Sequence, residues 1–259
     1  MQRKCAFCPA DAVEIGGEHV WDDWLNKALP KTTYRARKRY SLASPLIQYD
    51  TDSLNEKLPV VCMKCNNGWM STLSLKVKDR FGRTMLDGEP FILGAKDAKI
   101  LAAFTFMKAA VTNHLTANEY EPFFTRGARE TFRTSLVVPA LTKMWCAAYD
   151  GEARISTRSN FSIVSADAPG PLYGMEFGSF TYVVGKLALQ LLSPRWKQIH
   201  QRGRPLVSLN PNVYWEQATT LFWPHEGGSV SWPPSKYLSD DTLQTFIERF
   251  DSPVNVPVS

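Results

Sequence analysis

Cys62-Met63-Lys64-Cys65-Asn66-Asn67-Gly68-Trp69-Met70 decides the fold, because its cysteine spacing repeats that of Cys5-Ala6-Phe7-Cys8 at the start of the chain. Two residues between cysteines let a tight turn aim both thiolates at one ion. Two such pairs complete a closed tetrahedral site, with zinc–sulfur bonds of ~2.3 Å, that stabilises a segment too small to fold on its own core. The rivals are a redox pair and disulfides. A thioredoxin-like C-x-x-C belongs in a βαβ context, and a cytosolic chain does not keep disulfides. One structural zinc on Cys5, Cys8, Cys62 and Cys65 is therefore expected. The remaining cysteine, Cys146 in KMWCAAY, is expected to be a small buried side chain of a strand.

The rest of the chain bounds what this knuckle can belong to. With 259 residues, 44% hydrophobic and 12% aromatic, the protein can bury a sizeable core. MQRKCAFC passes from charge straight into cysteines without the apolar stretch of a secretory signal, so a cytoplasmic location is expected. The longest apolar run, Ile100 to Val111, is about half a membrane span and contains Lys108, which makes it a buried helix and leaves no transmembrane segment. The net charge of +5 permits nucleic-acid binding without demanding it. Its distribution is more telling, since KTTYRARKRY places Lys31, Arg35, Arg37, Lys38 and Arg39 together with no acidic residue.

The cysteine pairs and the basic stretch all precede the Gly/Pro-containing segment LDGEPFILG, which sets an expected boundary between residues 1–90 and 91–259. Beyond it, Ile100, Leu101, Phe104, Met107, Ala110 and Val111 recur at three- and four-residue spacing, the period of an amphipathic helix over Ala95 to Leu115. A short helix is expected over Arg126 to Arg133. KMWCAAY, ARIST and FSIV read as strands, and SFTYVVGKLALQLL is long enough for a strand and a helix. Ser239 caps a last helix over TLQTFIERF. The class is α+β.

Gly16-Gly17-Glu18-His19-Val20 lies between the cysteine pairs, and Asn66 follows Cys65 directly. C-x-x-C, then Glu-His, then C-x-x-C followed at once by Asn resembles the HNH, or ββα-metal, endonuclease superfamily in its four-cysteine zinc subgroup. The resemblance covers about the first 75 residues. It implies a treble-clef zinc domain and a metal-dependent nuclease acting on DNA. Phosphodiester hydrolysis needs an activated water, a cation against the developing phosphate charge and assistance to the leaving oxygen. His19 suits the general base, while Glu18 and Asn66 offer hard oxygens for Mg2+ or Mn2+. Adjacent strand residues point to opposite faces, so Glu18 and His19 share a site only if the strand ends or bends, which Gly16 and Gly17 permit. The family's histidine-orienting asparagine has its nearest counterpart in Asn55. Two positions depart from the pattern: EHVWDDWL lacks the proline common near the third position after the histidine, and a glutamate frequent after GWM is replaced around Ser74.

The bland reading makes His19 a satisfied structural histidine and Asn66-Asn67-Gly68 a turn. The chain is then a non-catalytic zinc-knuckle module for nucleic acid or protein. Lys31, Arg35, Arg37, Lys38 and Arg39 could grip DNA phosphates or form a solvated loop. Lys76, Lys78, Arg80 and Arg83 follow on a helix whose other face carries Leu73, Val77 and Phe81. Residues 91–259 are expected to recognise the target or a protein partner, or to form a homodimer. Trp223-Pro224 and Trp232-Pro233-Pro234 read as core and turn elements there, and His114, His200 and His225 lack neighbours at ligand spacing.

Overall fold

Between the cysteine pairs the chain runs through strand β1 (Ile15–His19), the short helix α1 (Asp23–Ala28), β2 (Tyr34–Lys38), β3 (Ile47–Thr51) and β4 (Lys57–Cys62). The computed structural model describes residues 5–9, 15–29, 34–38, 47–51, 57–116, 122–152, 155–163, 175–196, 215 and 217–250. β1 and β4 pair antiparallel, with Ile15 opposite Cys62 and His19 opposite Lys57, and the register slips between Gly16 and Glu18. Gly17 is required there, because a Cβ on it would meet Lys57 Cβ at 2.7 Å. β2 and β3 form a separate antiparallel ribbon.

Helix begins at the second cysteine pair with α2 (Met63–Cys65), passes a widened turn over Asn66–Met70 and continues as α3 (Ser71–Asp87). Leu73, Val77 and Phe81 are buried on α3 as the spacing requires, and Gly88 ends it in the left-handed conformation at φ 77°. After β5 (Phe91–Leu93) comes α4 (Ala95–Thr116). The expected helix is present, but it is not amphipathic. Every residue from Leu101 to Val111 is buried, including Thr105 and Lys108, because α4 is covered by the zinc-bearing segment on one side and a sheet on the other.

The remaining elements are α5 (Arg126–Ser135), β6 (Lys143–Tyr149), β7 (Ile155–Ile163), β8 (Met175–Val184), β9 (Leu187–Trp196), β10 (Thr219–Trp223), β11 (Val230–Trp232), β12 (Tyr237–Leu238) and α6 (Asp240–Glu248). SFTYVVGKLALQLL holds no helix: it is β8 and β9 joined through Gly185 and Lys186. The segments read separately as ARIST and FSIV contribute to the single strand β7. Six strands form one sheet, in the order β10-β6-β9-β8-β7 with β12 alongside β6. Alternate residues face opposite layers. Met144, Cys146, Tyr182, Leu189 and Leu191 join the core around α4, whereas Ala147, Tyr149, Val183 and Ala188 join Leu243, Phe246 and Ile247 of α6. Ser239 caps α6 by accepting from Thr242 N–H.

Mixed helix and strand content agrees with the α+β expectation. The expected boundary near residue 90 runs through continuous packing, since the core around α4 extends from Cys5 to Trp232. No helix among the described residues is long and apolar enough to cross a membrane.

Candidate metal centre and the Glu18–His19 hairpin

Cys5 and Cys8 lie on the coil that Ala6 N–H anchors to Val60 O of β4 at 2.8 Å, while Cys62 ends β4 and Cys65 ends α2. The four sulfurs lie within 4.8 Å of one another, the only such group among the described residues. Cys8 Sγ and Cys62 Sγ are 3.7 Å apart. Four sulfurs at ~2.3 Å around one ion would be about 3.8 Å from each other, so the spacing suits zinc. No cysteine is in a disulfide, and Cys146 is buried as expected.

Backbone donors within the cluster favour a thiolate at Cys5. Cys5 is buried, which opposes ionisation, but the N–H groups of Phe7, Cys62 and Cys8 turn toward its sulfur and bring its pKa below the ordinary thiol value. Phe7 N is 3.5 Å and Cys62 N 3.4 Å from Cys5 Sγ. Donors of this kind hold metal-bound sulfur in place. Burial pushes the Cys65 thiol up, which opposes its ionisation. Phe7, between the first two cysteines, is fully buried and meets Trp69 edge-on at 5.2 Å, and both pack on Phe132 of α5. Arg129 of the same helix donates to Ala6 O at 2.6 Å.

This cluster places Asn66 across from β1. Asn66 Nδ2 donates to Gly17 O at 3.1 Å, a contact spanning 49 residues of sequence. A carbonyl acceptor fixes the amide orientation, leaving Asn66 Oδ1 turned away from that bond. Asn67 and Gly68 are exposed, and Gly68 departs from helical dihedrals at φ -93°, ψ -112°. Asn66 thus opens the helical run that Asn67-Gly68 widens.

Glu18 and His19 are parted by strand alternation. Glu18 is 5% exposed and points inward, where Lys108 of α4 meets it at 3.0 Å. The same ammonium donates to His19 O at 3.0 Å and to Asp22 Oδ1 at 3.2 Å. Burial works against the charge on Lys108, but Asp22 and Glu18 more than offset it and raise its pKa above the usual lysine value. Asp22 Oδ1 also accepts from Ser74 Oγ at 2.8 Å, while Asp22 Oδ2 and the Tyr182 hydroxyl are buried without a hydrogen-bond partner. Tyr182 stays neutral, its pKa pushed well up by burial and then by Asp22 and Glu18. Asp22 is the third residue after His19, so the Ser74 contact ties the β1–α1 connection to α3.

His19 is half-buried on the other side. Burial lowers its pKa first, the facing Lys57 lowers it further, and Glu18 and Asp23 oppose them. The ring is accordingly neutral near pH 7 and free to accept a proton.

Of the expected DNA-contacting residues, Arg35, Arg37 and Lys38 lie on β2 opposite Asp50, Gln48 and Ile47. Their side chains, and Lys31, Arg39 and Asn55 altogether, lie outside the described residues. Sequence reasoning missed Lys108, Asp22 and Arg129 as parts of the centre. The signal for Lys108 was present: it is the one charge within the apolar run from Ile100 to Val111. Comparison with protein-family models, with curated proteins and with solved structures gives no match to this chain.

Proposed function

We propose that the protein is a zinc-stapled endonuclease of the HNH type, hydrolysing phosphodiester bonds in DNA with the help of Mg2+ or Mn2+. The observation that carries this reading is the contact of Asn66 with the Glu18–His19 strand, made beside the four-cysteine cluster. His19, neutral and half-buried, takes the proton of the attacking water. Glu18 keeps a second carboxylate oxygen beyond the one bound to Lys108, and Asn66 keeps its carbonyl oxygen, so two hard donors fit a magnesium-like ion in kind. When bound, such an ion supplies charge against the developing phosphate oxyanion. Lys31, Arg35, Arg37, Lys38 and Arg39 hold the phosphate backbone.

A second reading has its own observation. Glu18 is almost fully buried, already neutralised by Lys108 and turned away from the His19 side of the strand, as in a structural ion cluster. On that reading the chain is a zinc-knuckle module that binds nucleic acid or a protein without cutting. Incubation of the zinc-loaded protein with supercoiled and branched DNA in Mg2+ or Mn2+ separates the two. Wild type should cut, and His19→Ala should cut at least about 100-fold more slowly with its zinc retained. Equal cutting by both, or none by wild type, contradicts the nuclease reading.

A further inference from the structure

We propose that Lys108 is a positioning residue of this site, its ammonium fixing the hairpin that carries Glu18 and His19. The inference rests on the nuclease reading. It also makes residues 91–259 part of the site rather than only a recognition module.

The argument is geometric. Lys108 stands within a helix turn that is otherwise apolar, and its side chain is 2% exposed. Nothing in the packing of α4 calls for a charge there. The ammonium has three protons, and three oxygens receive them: Glu18 Oε1, the His19 carbonyl and Asp22 Oδ1. These oxygens belong to consecutive parts of one connection, the end of β1 and the turn into α1. A lysine that merely neutralised Glu18 would not need the His19 carbonyl. Holding that carbonyl fixes the peptide at which the chain leaves the strand, and with it the backbone position from which the imidazole projects. Holding Glu18 Oε1 fixes the plane of the carboxylate and so the direction of its second oxygen. Ser74 of α3 meets Asp22 from the other side, so the turn is gripped by two helices. A lysine is suited to this because its three donors radiate from one nitrogen on a flexible stem and can reach three separate oxygens. Displacement of reacting groups by about 1 Å can cost 10²-fold in rate, which sets the effect expected from losing the grip.

The test uses the full zinc-loaded chain with Lys108→Ala, assayed with n-propylammonium, which replaces the deleted atoms and their charge, and with n-propanol, which replaces their bulk and a single donor without the charge. Cleavage of supercoiled DNA by Lys108→Ala should fall about 100-fold in kcat, with KM for DNA changed less than about threefold. Propylammonium should restore at least a tenth of the lost kcat, and propanol should not. If the variant folds poorly, the same contrast is read at folding, with recovery of zinc-loaded protein in propylammonium and not in propanol. Wild-type kcat in the variant, a loss confined to KM, equal rescue by both additives, or rescue by neither overturns the proposal. If wild type does not cut at all, the nuclease reading fails first. Thermal unfolding then tests the grip on the hairpin alone: propylammonium must raise the midpoint of Lys108→Ala above that in propanol while leaving wild type unmoved, and equal midpoints overturn it.

Discussion

Glu18 and His19 are consecutive residues with different fates, and the difference is set by the pleat of one strand. Glu18 turns inward to Lys108, and His19 stays at the surface facing Lys57. The motif was legible in the sequence, and so was the conflict of faces, but not the cation that holds Glu18 on the inner face, since Lys108 lies 90 residues further on. Another histidine shows what burial without a partner does. His114 on α4 is pulled down to about 4 by burial and then by the charge of Arg129, and its Nδ1 has no partner. Above pH 6.5 both folded and unfolded chains carry it neutral, and its contribution to stability is complete. As pH falls from 6.5 toward 4 the unfolded chain takes up a proton that the folded one refuses, so stability declines and the contribution is gone below the folded value. Urea unfolding at pH 7 and pH 5 should show wild type losing about 1 kcal/mol more than His114→Gln, after allowance for partial solvent screening. Reading the difference between the two proteins cancels the acid lability of the thiolate cluster. Identical losses would show that His114 is not the sensing group.

At the scale of elements, the longer helices were legible, while the short α1 and the central hairpin were not. The spacing over Ala95 to Leu115 anticipates α4 to within a residue, and Ser239 caps α6 as its sequence suggests. SFTYVVGKLALQLL was read wrongly because both faces of β8 and β9 are buried, one under α4 and the other under α6. A strand buried on both faces loses the alternation that would reveal it. The hairpin turn needs a glycine. Gly185 has φ 53°, a Cβ there would lie 1.8 Å from Met85 O, and Lys186 N–H donates to that same carbonyl at 2.8 Å. The turn thus docks on the last residues of α3, the helix that begins at the cysteine cluster. Gly185→Ala should cost on the order of 3 kcal/mol, since the clash is with backbone and cannot be relieved by a side-chain rotation. Thermal unfolding of the zinc-loaded variant checks this, and a loss below about 1 kcal/mol would mean that the turn can lift off α3 freely.

For the whole molecule, the first 90 residues and the remainder were expected as separate units, and their packing is continuous. Lys108 of α4 enters the β1–α1 hairpin, Arg129 of α5 holds Ala6 between the first cysteines, and Phe7 packs beneath Phe132. None of these contacts has a short-range sequence signal, because each joins residues about a hundred positions apart. The four cysteines are the exception: their paired spacing announced a long-range contact that the fold contains. Their cluster joins the N-terminal coil to the end of β4 and sets Asn66 against β1, so the proposed chemistry depends on what the sulfurs bind. X-ray absorption at the zinc edge of the purified protein tests this most directly. The account predicts one zinc per chain with four sulfur neighbours at ~2.3 Å and no lighter ligand. Absence of zinc, a site with nitrogen or oxygen neighbours, or oxidation of the cysteines to disulfides would contradict it.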